Sequence, residues 1–232
     1  CAAKNPCAAG ACGACNPCNP CAAKNPCAAG ACGACNPCNP CAAKNPCAAG
    51  ACGACNPCGG GGGNAELKPE ESVAVYDCLM KELRDAYAKS GNSSAEAYLD
   101  WRRYSKRAYV SATHGGRYVQ NYGNETARAY GSYEKAGEFP EGAVLAKDSF
   151  TVSKANGQAR LGPLFLMEKM ADGWYAKSDD WRYTLIMPNG QTVGTTKGQG
   201  SGNVEFCIQC HKLGSGPGVD SVMFLPEDLR VK

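Results

Sequence analysis

From position 69 onward the apolar residues fall on a helical repeat: Val73, Tyr76, Leu79, Met80, Leu83 and Tyr87 return at three- and four-residue intervals. Pro69 suits a first helical turn, and the carboxylates of Glu70 and Glu71 favour the positive end of the helix dipole, so the spacing predicts a helix opening there. Ser93 with Glu96 forms a capping-box pattern ahead of a second helix carrying Tyr98, Leu99 and Trp101. RYVQNY, from Arg117 to Tyr122, predicts a strand, and Asn124 caps a third helix to about Ala136. After the turn FPEG the apolar period shortens. Segments 143–153, 163–170, 181–187 and 191–196 read as antiparallel strands, with NG at 156–157 and PNG at 188–190 between them. Helices first and strands afterwards predict an α+β domain.

The first 58 residues follow neither period. They contain no Leu, Ile, Val, Met, Phe, Tyr or Trp, so no side chain larger than Ala or Cys is available for an apolar core. They consist of CAAKNPCAAGACGACNPCNP, repeated at 21–40 and again at 41–58 without its last two residues. A period of 20 suggests stacked coils or a low-complexity spacer, and each Asn-Pro favours turn or extended backbone. Gly59 to Gly63 reads as a flexible linker. The expected organisation is therefore a Cys-rich repeat at 1–58, a linker at 59–63 and one globular domain at 64–232, which is long enough for its own core.

Charge narrows the field of partners. The net charge of +3 belongs entirely to Lys4, Lys24 and Lys44, which leaves 21 basic and 21 acidic residues in 64–232. A formally neutral domain argues against nucleic-acid binding, which needs a concentrated basic surface. No run of about 18 apolar residues occurs, so no segment reads as a membrane-spanning helix. The chain opens at Cys1, not Met, as expected of a processed or trimmed chain.

The residues that carry chemistry are Cys207, Cys210 and His211 in FCIQCH. CxxCH is the attachment signature of c-type haem: two thiols three positions apart add to the two vinyl groups of one porphyrin, and the adjacent imidazole reaches the iron. The competing reading is an incidental CxxC beside a histidine, or part of a zinc site. Against zinc, the chain has only two histidines and its folded part no second suitably spaced pair. The motif's place, close to the C-terminus and after a strand-rich stretch, is unlike that of small electron-carrying cytochromes c.

THGGRYVQNYGNETARAYGSYEKAGEFPEGAVLAKDSFTV, GPLFLMEKM, DDWRYTLIMPNG, FCIQCH and MFLPEDLRV together resemble the cytochrome P-460 family, over about Glu66 to Lys232. The resemblance implies a mainly antiparallel β domain with flanking helices, usually a homodimer, holding one five-coordinate c-haem with an open distal face. Founding members oxidise hydroxylamine; their relatives, the beta-type cytochromes c-prime, bind nitric oxide or other small gases. Carried over by position, Cys207 and Cys210 are the thioether residues, and His211 is the proximal ligand to iron. Lys147 in GAVLAKDSF matches the lysine cross-linked to the porphyrin edge in P-460 enzymes. Strand alternation puts it on one face with Leu145 and Ser149, and the bland alternative is a solvent-facing lysine. Glu168 is the nearest candidate for a distal proton-moving carboxylate, with an exposed strand residue as its alternative. Phe150, Phe165 and Leu166 are wall residues of the distal pocket or ordinary core, and His114 in the THGG turn is a candidate sixth ligand or a structural residue, the structural reading being preferred because the family leaves the distal position open. The implied partners are a small nitrogen-containing substrate or gas, a redox protein and a second copy of the chain.

Attachment of c-haem occurs outside the cytoplasmic membrane, which implies a periplasmic, cell-surface or extracellular protein. That compartment permits oxidation of the fifteen cysteines in the repeat. None of its CxxC pairs is followed by histidine, so these are not further haem sites of the usual kind. Three readings stay open: a disulfide-stapled module for anchoring or assembly, a soft-metal trap for copper(I) or zinc, and an unstructured spacer. Cross-chain stacking of identical units would build a filament, and Cys1 is a candidate lipid attachment point.

Overall fold

The computed structural model describes residues 64–231. The repeat, the glycine run and every reading made of them lie outside those residues. Two compact units are distinguished. The first draws on the described residues up to Leu79 together with Thr151–Arg160; the second comprises Met80–Phe150 and Leu161–Lys232.

In the first unit the chain enters extended. Asn64 bridges Ser153, and the Ala65 N–H donates to the Val152 carbonyl at 2.7 Å. Helix α1, Pro69–Ala88, then begins where the proline and the two glutamates place it. The Glu71 carboxylate accepts from the Lys68 N–H at 2.8 Å, satisfying a donor that the helix start would otherwise leave free. Val75, Tyr76 and Leu79 are buried, as their helical spacing predicts.

The second unit carries most of an eight-stranded antiparallel sheet. Its strands are β1 (Arg102–Arg103), β2 (Tyr109–Ser111), β3 (Arg117–Gly123), β4 (Val144–Val152), β5 (Ala159–Leu161), β6 (Leu164–Lys169), β7 (Trp181–Ile186) and β8 (Thr192–Thr195). The order is β1-β3-β4-β6-β7-β8, with β2 also pairing β3 and β5 also pairing β4. Helices α2 (Ser93–Ala97) and α3 (Glu205–Gly214) complete an α+β architecture.

Local expectations shift in places. Helix α2 ends at Ala97, so Tyr98 and Leu99 fall in a following 3-10 turn and Trp101 lies beyond it in extended backbone, not on the expected helix. The cap of α2 is Asn92, whose side chain accepts from the Ala95 N–H, one residue before the expected Ser93. Asn124 caps its element as expected, accepting from the Ala127 N–H, but Glu125–Lys135 winds as a 3-10 helix broken at Tyr133 (φ 53°). There the Tyr133 hydroxyl donates to the Val231 carbonyl at 2.6 Å, a tertiary contact the sequence pattern does not contain.

The turn after β8 folds back closely enough to fix the entry to α3. Asn203 donates from Nδ2 to the Val193 carbonyl at 2.9 Å, and Gly200 takes the left-handed backbone (φ 66°). A Cβ at Gly194 would collide with the Gly200 carbonyl oxygen, which is backbone and cannot rotate away. Gly194→Ala is therefore expected to destabilise the fold by about 1–3 kcal/mol. Denaturant unfolding checks this, and an unchanged midpoint would mean that the turn is free to move.

Candidate functional site

The register of the central strands lines up two rows of side chains on one sheet face. Asn121, Lys147, Phe165 and Leu185 are direct cross-strand neighbours along β3, β4, β6 and β7. Two residues along lies the row Leu145, Met167 and Tyr183. Because side chains alternate along a strand, both rows face the same side. They line a cavity of about 320 Å³, a size found for small-molecule sites, which is also lined by Phe206, Cys207, Cys210 and His211 of α3.

Helix α3 brings its three residues together by spacing alone: positions 207, 210 and 211 are i, i+3 and i+4, one helical face. Ile208 is buried on the core side and anchors the helix. The His211 Nδ1–H donates to the Ser221 carbonyl at 3.0 Å, which fixes the tautomer and leaves Nε2 with its lone pair. Burial, assisted by the nearby Lys147 charge and opposed by that hydrogen bond, pushes the imidazole down to about 4. It is neutral near neutral pH, the form that binds a metal. Burial pushes the Cys207 thiol up to about 12, and both Cys207 and Cys210 are free.

Lys147 sits in the middle strands with its side chain toward the cavity. It is half-buried and lines the cavity. Desolvation lowers its ammonium to about 8, with Cys210 acting weakly the other way. An amine in this state is available as a nucleophile near neutral pH. Tyr183 is 3% exposed, its ring lies 5.3 Å from that of His211, and its hydroxyl has no hydrogen-bond partner among the described residues. A buried orphan hydroxyl beside a cavity calls for a ligand with acceptor atoms. At another part of the wall, Asn121 accepts from the Tyr109 hydroxyl at 2.9 Å and donates to the Tyr130 oxygen at 3.0 Å. The Asn121–Tyr130 bond leaves the phenolic proton of Tyr130 unused.

His114 also reaches the cavity. Its Nδ1 lies 2.9 Å from the Ser111 hydroxyl and 3.1 Å from that of Thr113, and its ring packs edge-on against Phe165 at 4.8 Å. Burial, with the charges of Lys147 and His211, pushes it down to about 2, so it is a neutral imidazole. The reading of His114 as a turn residue covers its hydroxyl contacts but not its place in this wall. Phe165 and Leu166 line the cavity too, whereas Phe150 is fully buried and stacks on Tyr118 at 5.2 Å.

Glu168 does not join them. It alternates to the opposite side of β6 from Phe165 and Met167 and pairs with Arg182 across the strand. It is absent from the cavity lining, so the distal-carboxylate expectation gives way to a cross-strand ion pair. Asn121, Tyr130 and Tyr183, conversely, read in the sequence only as strand or core residues, and no local signal marks them.

The arrangement fits a porphyrin: two thiols and one neutral imidazole on a single helix face, apolar walls and buried hydroxyls able to donate. Among the described residues no group of three or more His, Cys, Asp or Glu is arranged to hold a bare metal ion, and no helix is long and apolar enough to cross a membrane. A family model described as Cytochrome P460 matches residues 95–221, more than half of the chain and all of the cavity-lining strands. No curated protein matches the chain.

Proposed function

The chain belongs to the cytochrome P460 family, whose members bind c-type haem with iron, and on that footing we propose that it oxidises hydroxylamine or a related small nitrogen species. In this reading Cys207 and Cys210 hold the macrocycle through thioether bonds and His211 is the one protein ligand to iron. The haem, when bound, would supply the redox chemistry and the site at which a small nitrogen ligand reacts. The residues of the chain supply the rest. His211 is held neutral and oriented by the Ser221 carbonyl, and Phe165 and Leu166 keep the wall apolar. Electrons leave to a redox partner protein. A periplasmic, cell-surface or extracellular setting follows from the attachment chemistry, and assembly with further copies, through the haem domain or the Cys repeat at 1–58, belongs to the same proposal.

The observation that carries this reading is Lys147: a partly neutral amine facing the same cavity as the attachment cysteines. There it stands to bond to the porphyrin edge. Such a bond would replace a C–H and an N–H by C–N, and its two electrons and two protons would pass to an oxidant of the peroxide class. A haem peptide that includes Lys147, found by mass spectrometry of the digested holoprotein, is the expected result. Lys147→Met should lose that peptide, keep the haem on its cysteines and lower hydroxylamine turnover by about tenfold or more, or ~1.4 kcal/mol of barrier. Wild-type protein without the linked peptide would overturn the enzyme reading.

The alternative is a nitric oxide or gas binder on the same haem. One observation favours it: with Glu168 turned away, no carboxylate among the described residues lines the cavity, so none of them is placed to move a proton there. Tight ligand binding with no hydroxylamine turnover is its signature.

A further inference from the structure

The carbonyl that receives the His211 proton belongs to an unusual turn. Asp220 and Ser221 both take left-handed backbone, with φ of 52° and 57°, although neither is glycine. Such a pair persists only where its surroundings hold it, and here they do so at every polar atom of Asp220 that accepts. The carboxylate takes Lys169 Nζ at 2.6 Å on one oxygen and the Phe139 N–H at 2.9 Å on the other. Its main-chain carbonyl takes the Trp181 indole N–H at 2.7 Å. Lys169 and Asp220 each expose only 7% of their side chains, and the second donor bond of Lys169 runs to the Asp179 carbonyl at 3.0 Å. Asp179 closes the ring: one of its carboxylate oxygens accepts from the Ser221 hydroxyl at 2.5 Å, the other from Lys212 at 2.8 Å.

We propose that Lys169, Asp220 and Asp179 are positioning residues for the axial imidazole: they lock the Asp220–Ser221 turn so that the Ser221 carbonyl holds His211 Nδ1–H in one geometry. The inference rests on the reading of His211 as the iron ligand. A firm bond at Nδ1 lends the imidazole anionic character, which strengthens its bond to iron and favours the oxidised metal. The clamp would therefore act on the iron indirectly, through the Ser221 carbonyl and His211 Nδ1–H. It also explains why a charged pair is kept in a nearly dry place, where apolar side chains of the same volume would serve stability as well.

The test is made on the haem-loaded protein with Ser221→Ala, which deletes the hydroxyl bond to Asp179 and leaves the backbone carbonyl in place, and with Asp179→Asn. Asp85→Asn, in an exposed ion pair on α1, is the control. The readouts are the iron–histidine stretching band of the ferrous protein in resonance Raman and the midpoint potential. Ser221→Ala and Asp179→Asn should move the band to lower frequency and the potential upward, while the control moves neither. Should Asp179→Asn fail to fold, Ser221→Ala alone carries the comparison. If both variants keep the wild-type band and potential while melting earlier, the residues are merely structural and the proposal is overturned. If the wild-type protein shows no iron–histidine band, the assignment of His211 falls, and the clamp's role with it.

Discussion

With Cys207 and Cys210 both replaced by alanine, the chain should keep after denaturing electrophoresis no more haem than a bond at Lys147 can hold, where the wild-type band stains strongly. The two thiols are free, they share a helix face, and they lie on the wall of the same cavity as His211. Once the chain is unfolded, only thioether bonds, or a bond at Lys147, can retain a macrocycle. A residual stain would have two meanings, and the triple variant that adds Lys147→Met separates them. Loss only in the triple variant assigns the remaining bond to Lys147. Full staining in all variants would sink the assignment of CIQCH as the attachment site.

Replacing His211 by alanine should spare the covalent attachment and remove the activity. The imidazole is the only side chain of α3 with a neutral nitrogen directed to the cavity and its other nitrogen committed to a carbonyl. Loss of an axial ligand changes both the position of the metal and its electronics, and a fall in turnover of at least about a hundredfold is expected, or roughly 3 kcal/mol in the barrier. Added imidazole should restore part of the absorption spectrum of the ferrous protein. His114→Ala provides the contrast: a similar loss of spectrum there would make His114, not His211, the ligand.

The sheet was legible to the extent that its strands alternate or end in turn residues. RYVQNY became β3, one residue longer, and the four later segments became β4, β6, β7 and β8, with no end trimmed by more than one residue. Asn124 was readable as a cap because its carboxamide acts locally on an N–H three residues away. What local pattern does not hold is register. Nothing in the sequence says that Asn121, Lys147, Phe165 and Leu185 stand side by side, because each reaches the row through a different pairing. Glu168 shows the same limit on a smaller scale. In LFLMEK both faces of the strand are largely covered, so there is no alternation from which to read its side, and only the pairing with β7 turns it toward Arg182. The helix face of CIQCH needed no register, because spacing along one helix is enough to bring its three side chains together.

Tyr130, Leu145, Met167, Tyr183, Leu185 and Val222 line the cavity and are also members of a hydrophobic core cluster of the second unit, with Phe165 and Cys207 packed against it. A macrocycle seated there is thus a constituent of the hydrophobic core and not a guest in a finished protein. Its binding free energy adds directly to the stability of the native state by mass action, and covalent attachment makes that contribution permanent. Order of assembly follows from this. The chain is expected to reach its final packing only after the cofactor is attached, so that maturation machinery meets a loosely packed chain in which α3 is still accessible, and proteolytic resistance appears at the step of haem ligation.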